Sequence, residues 1–138
     1  MKKINMKKIL CSLIFTLLLF SFASNAHDET KLLNQVIDSK ELNNYWHIDV
    51  FPNRSPLIVS VPSAYHVLDE PFEKFGKPVE VIKGSTEVKT AFFINEVIKK
   101  EEKIEMIFSY PPEGIKGTAV FNKVKDEWKI EKIMIFES

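Results

Sequence analysis

Cysteine occurs once in this 138-residue chain, at Cys11, and that scarcity removes whole classes of chemistry. Cys11 opens an apolar run near the start of the chain and has mostly apolar residues after it. A lipoprotein cysteine ends such a run, so lipid anchoring through Cys11 is not expected. Once Cys11 is gone, there is no disulfide framework, no Cys-ligated metal and no thiol nucleophile. Glycine is sparse too, with four residues, and no Gly-rich phosphate loop, Gly-x-Ser-x-Gly elbow or His-Glu-x-x-His motif is present. Arginine is rarer still: Arg54 stands alone among 19 basic residues.

No hydrophobic run is long enough to cross a bilayer. The longest, residues 9–22, has 14 residues, short of the roughly 20 that a helical span requires. Preceded by Lys7 and Lys8 and followed by Ser24-Asn25-Ala26, it has the order of a cleavable signal peptide. Residues 1–26 are therefore expected to leave, with cleavage after Ala26, whether translation starts at Met1 or Met6. Residues 27–138 remain as one exported domain, periplasmic or secreted, with no membrane span after cleavage. The Met-Lys-Lys opening and the abundance of Lys, Ile and Asn fit a bacterium.

An excess of one charge is also missing. Four of the 19 basic residues (Lys2, Lys3, Lys7 and Lys8) lie in the leader, leaving fifteen against 19 acidic residues, a net charge of −4. A mildly acidic domain lacks the basic field that nucleic acid and anionic lipid need, so nucleic acid is not an expected partner.

What is present reads as α+β. Leu32, Leu33, Val36 and Ile37 recur at helical spacing, which predicts a helix over 28–37 with Asp28, Glu29 or Thr30 as its cap. Residues 39–44 read as a polar break or a second short turn. The aromatic and β-branched content of 45–51 then predicts a strand, joined in a hairpin to a second at 57–61 through Pro52-Asn53-Arg54-Ser55-Pro56. Asp69 and Pro71 suggest a short helix ending at Gly76, followed by a short strand over 79–82. The last third predicts four strands, 86–98, 103–110, 115–124 and 128–136, whose short separators force antiparallel neighbours. Gly117 marks a bulge or a close backbone approach, and a phase shift between Ile130 and Ile133 suggests a bulge. The fold class is an N-terminal helix packed on a curved, mainly antiparallel sheet ending in a four-stranded meander.

A leading helix followed by a meander ending in Gly117-Thr118-Ala119-Val120-Phe121 and Trp128-Lys129-Ile130 resembles small exported domains of the NTF2-like or cystatin-like kind. The resemblance lies in architecture across most of residues 28–138. Such folds host enzymes, carriers, inhibitors and immunity proteins alike, so it implies a fold and selects no function.

The candidate contacts sit on the strand at 45–51 and on two stiff loops. His47 and Asp49 share a face of that strand, a spacing that suits metal binding or a shared proton, although a polar exposed face is the plainer reading. Arg54 occupies the proline-bracketed loop, and its rigid fork suits bidentate recognition of a carboxylate or phosphate. Pro112 and Glu113 belong to the Pro111-Pro112-Glu113-Gly114 tip, a rigid loop able to bind with little ordering cost. Phe92 and Phe93 are adjacent, so one of them must leave the core side of its strand. His27, if it becomes N-terminal, is a copper chelator only with His47 or His66 facing it, and a frayed terminus is the simpler expectation. No catalytic residue, metal or cofactor is assigned.

Three functional readings follow. The first is a protein-binding or inhibitory, immunity-like module in the bacterial envelope, with another envelope or secreted protein as partner. The second is a carrier holding a small apolar ligand in a cleft between helix and sheet. The third is a small hydrolase or isomerase using His47 and Asp49.

Overall fold

The computed structural model describes residues 29–65 and 72–138. The leader, its cleavage site and His27 fall outside them, as do His66, Asp69 and Pro71. Among the described residues, no helix is long and apolar enough to cross a membrane.

Helix α1 covers residues 29–37 of the described chain. Its stripe of Leu32, Leu33, Val36 and Ile37 is fully buried, as the spacing predicts. Asp38 N–H closes on Asn34 O at 3.0 Å, and Ser39 returns both its N–H and its hydroxyl to Val36 O, ending the helix. The chain then winds again as α2 (Lys40–Trp46). Leu42 and Trp46, four apart, are its buried residues and form one helical face.

This overturns the strand expected at 45–51. The helix runs through Trp46, His47 takes the left-handed conformation as its C-cap (φ 47°), and residues 48–50 form a turn. Val50 N–H and Phe51 N–H both bond to His47 O. The aromatic and β-branched content that suggested a strand belongs to residues with different fates: Trp46 is core, while Val50 and Phe51 are exposed. The proposed hairpin therefore does not exist. The proline loop holds a 3-10 turn (Pro52–Arg54) and a cis Ser55–Pro56 bond, and delivers the chain to β1 (Ile58–Val61).

Beyond residue 71 a strand ribbon occupies the region where a helix was expected. Strands β2 (Glu73–Lys74) and β3 (Lys77–Pro78) pair antiparallel around Phe75 and Gly76, both at positive φ. Two positive-φ central residues match the twist of a tight hairpin, and glycine makes the second of them cheap. Phe75 is held by packing edge-on against Trp46, with ring centroids 5.8 Å apart. Strand β4 (Glu80–Lys83) follows close to its expected place.

The four strands of the C-terminal meander form, as β5 (Phe92–Lys99), β6 (Lys103–Tyr110), β7 (Ile115–Val124) and β8 (Glu127–Glu137). The first starts at Phe92 and not at residue 86, because residues 86–91 are loop and turn, with Ala91 N–H bonded to Val88 O. The six-stranded sheet has the order β4-β1-β5-β6-β7-β8. Strand β1 lies parallel to both β4 and β5, and the remaining pairs are antiparallel. The connection from β1 to β4, residues 62–79 in the chain, is long enough for the crossover that a parallel pair needs. The expected bulge in β8 is real: Val120 faces Lys132 and Phe121 faces Ile130, leaving Glu131 as the extra residue.

Gly117 is the close approach foreseen. A Cβ there would overlap the edge of the Phe108 ring and lie 2.8 Å from Met134 O. Phe108 stacks on Phe92 (5.2 Å between centroids), and Trp46 bridges Phe92 and Tyr110 at 5.7 and 5.1 Å. These rings fill the space between α2 and the sheet.

Candidate functional site

Three short elements converge at one end of the sheet. The C-cap of α2 places His47, the first 3-10 turn places Arg54, and a second 3-10 turn (Pro111–Glu113) places Glu113. The second turn is closed by Gly114 in the left-handed region, whose N–H bonds to Pro111 O. Prolines open both 3-10 turns, where a missing N–H costs nothing.

Arg54, His47 and Glu113 meet there. Arg54 Nη1 donates to Glu113 Oε1 at 2.5 Å and to Trp46 O at 3.1 Å, and His47 Nδ1 lies 3.0 Å from the same Glu113 oxygen. The Arg54 side chain is only 11% exposed and that of Glu113 18%. The guanidinium also sits 4.2 Å from the Phe51 ring centroid, a cation–π contact. Burial pushes the Glu113 carboxyl up, but hydrogen bonds and charge from His47 and Arg54 outweigh it and hold the group below its ordinary value.

Much of this fixing is made at the cost of unmet polar groups. Trp46 Nε1, Ser55 Oγ and Tyr110 Oη are buried with no hydrogen-bond partner among the described residues. Burial raises the Tyr110 pKa, with Arg54 pulling it down and Glu113 pushing it up, so the phenol senses the ion pair without bonding to it. Each unmet buried group costs about 1–3 kcal/mol. All three lie on residues bordering the Arg54–Glu113 pair, so this end of the molecule is not arranged for stability alone.

Beside the pair runs an open groove of about 560 Å³, lined by Phe51, Arg54, Lys89, Phe93, Pro111 and Pro112 among others. Of the residues singled out in the sequence, Arg54 and Pro112 line it and Phe93 contributes to it from the sheet. Glu113 holds Arg54 and is in turn bonded by His47, and neither lines the groove. Asp49 is exposed in the turn after α2 and takes no part in the pairing. The strand face expected to join His47 to Asp49 is absent, because residues 45–51 are helix and turn. Phe92 faces the core and Phe93 the opposite side, as adjacency in a strand demands.

Sequence reasoning found Arg54 through its singularity and Glu113 through its stiff loop, but missed that the two pair, since they are 59 residues apart. It also missed Lys89, one lysine among eighteen, and Phe51, which was assigned to a strand. Arg54 spends only Nη1 on the protein, so its Nε and Nη2 donors have no protein partner among the described residues. The site can therefore accept an oxyanion flanked by an apolar group. No family model, curated protein or solved structure matches this chain.

Proposed function

We propose that this protein is an exported bacterial binding module, of the inhibitory or immunity-like kind, that seats an acidic segment of another envelope or secreted protein in the groove between its two proline loops. The observation that carries the reading is the nearly buried Arg54 guanidinium, anchored through one nitrogen and bordering the groove with unspent donors. An arginine fixed in advance loses little entropy on binding and presents its fork to a carboxylate bidentately. Lys89 adds a second positive charge, and Phe51 and Phe93 give an apolar neighbour of the acid its own contacts. The prolines stiffen the loops beside them, which lowers the ordering cost again.

A small apolar ligand between helix and sheet finds less support. Leu33, Val36, Ile37 and Phe92 are all fully buried, and the space of about 510 Å³ left between α1 and the start of β8 is lined mostly by polar residues: Lys31, Gln35, Asp126, Glu127 and Lys129 beside Trp128 and Ile130.

The test is affinity capture from envelope extract with the wild-type protein and a Phe51→Ser/Lys89→Glu double variant, both shown to be folded. Both residues are exposed, so the fold survives the change. The expected result is a protein partner retained by the wild type and reduced at least about tenfold by the variant, equivalent to about 1.4 kcal/mol. Equal retention by both proteins overturns the proposal.

A further inference from the structure

The last strand of the sheet is an edge, and its two halves are treated differently. In the first half, α1 covers it: Gln35 Nε2 donates to Trp128 O at 3.0 Å, and Ile130 N–H donates to Gln35 Oε1 at 3.3 Å. The side-chain amide thus stands in for the peptide unit of a missing neighbouring strand. It also shows which way the backbone faces, since residues 128 and 130 must turn their polar groups outward.

Past the bulge at Glu131 no strand among the described residues pairs with the outward side. Ser138 N–H bonds to Gly114 O, so residue 138 turns inward. Alternation then sets Ile133, Ile135 and Glu137 with their backbone groups outward. No described strand lies beyond β8. Beside this stretch, on the face away from the core, are two of the large apolar side chains the molecule exposes, Met134 (38%) and Phe136 (62%).

We infer that β8 pairs with β8 of a second copy of this chain, antiparallel about a two-fold axis through Ile135. In that register Ile133 bonds with Glu137 of the second copy, and the two Ile135 residues bond with each other. Met134 then falls opposite Phe136 of the second copy, twice, so the two exposed apolar groups cover one another in a sulfur–aromatic contact. Ile133 and Ile135, packed against the core on the other face, continue their apolar row across the axis. No like charges are set opposite each other, whereas a two-fold at Lys132 would oppose two lysines.

The Gln35 clamp and the bulge confine the pairing to the last strand turn, and isologous use of the edge consumes it. The assembly therefore closes at two copies. The interface is small, and the association is correspondingly weak.

The test is sedimentation equilibrium of the full chain, expressed in a bacterium and purified, up to about 1 mM. It is combined with amide hydrogen exchange at low and high concentration. A monomer–dimer equilibrium is expected, with the amides of Ile133, Ile135 and Glu137 slowing as concentration rises. Phe136→Lys is expected to weaken the dimer at least about tenfold. Val124→Lys, at an exposed apolar residue paired with Glu127 at the opposite end of β8, is expected to leave it unchanged. A monomer throughout, a dimer indifferent to Phe136→Lys, or edge amides that exchange equally fast at both concentrations would overturn the pairing. None of these readouts depends on the groove or on its partner.

Discussion

Strands β5 to β8 and the segment from α2 to β4 share one core, but they are specified by different distances along the chain. Each strand of the meander pairs with the next through a short turn, and β6 at its centre alternates buried and less buried residues along its length. The α2-to-β4 segment has no such neighbours. Its strands β1 and β4 pair in parallel across a long connection, and its proline loop is fastened to the meander by Arg54–Glu113. Local pairing tolerates changes at the surface and fails at a crowded interior point. Fastening by a single ion pair concentrates sensitivity at that pair.

The largest effect is expected where the meander has no slack. Gly117→Val drives side-chain atoms into the Phe108 ring, and we expect a loss of about 3 kcal/mol or more. Thermal unfolding by circular dichroism checks this, with partial recovery expected in a Phe108→Leu background. Next is Arg54→Ala, which leaves Glu113 partly buried with only His47 and removes the packing on Phe51. We expect a loss of about 2 kcal/mol in urea unfolding, below the full cost of breaking a buried pair because both groups keep some solvent. Lys89→Ala in the same groove should change stability by less than about 0.5 kcal/mol. Equal effects of the two variants would erase the distinction between fastening and surface charge.

Smaller effects separate the regions by pH. The Glu113 carboxyl is held below its ordinary value near 4.5, so its contribution is complete above that pH and drains away as pH falls through the folded-state value. Glu113→Gln is expected to cost about 1 kcal/mol at pH 7, with the gap to wild type closing in acid. Denaturant unfolding from pH 7 to about pH 3 reads the gap directly. Tyr65, buried and bonded to Glu29 O, reports on the base side. Burial, reinforced by the Glu29 charge, raises its pKa, so the folded protein keeps a proton that the unfolded chain releases above its ordinary value of 10. Stability contributed there is present below pH 10 and lost as pH rises beyond it. Tyr65→Phe should cost about 1 kcal/mol at neutral pH and lose less than wild type above pH 10, measured by the same unfolding series.

The meander was legible because its signals are local. Short separators, alternation in β6, the close approach at Gly117 and the phase shift around Glu131 each lie within a few residues of what they determine. The segment over 45–51 was misread for a physical reason. Tyr45, Trp46, Ile48, Val50 and Phe51 carry strand-like composition, but burial of Leu42 and Trp46 on one face extends the helix. The ribbon at β2 and β3 was missed because a non-glycine residue, Phe75, occupies a positive-φ position that its contact with Trp46 supports. At the site, Arg54, Pro112 and Glu113 were nominated singly. Nothing in their order told that Glu113 would hold Arg54, or that His47 would turn from Asp49 to Glu113.

By itself the sequence determined the α+β class, the buried face of α1, the four antiparallel strands, the close approach at Gly117 and the bulge in β8, though not the register shift between Ile94 and Glu96 in β5. All of these follow from side-chain period and turn chemistry, which act between near neighbours. Only the tertiary structure decided the parallel pairing of β1, the company kept by Arg54 and which half of β8 Gln35 covers. Those depend on groups brought together across many residues, where the gain is collected only after the intervening chain has folded.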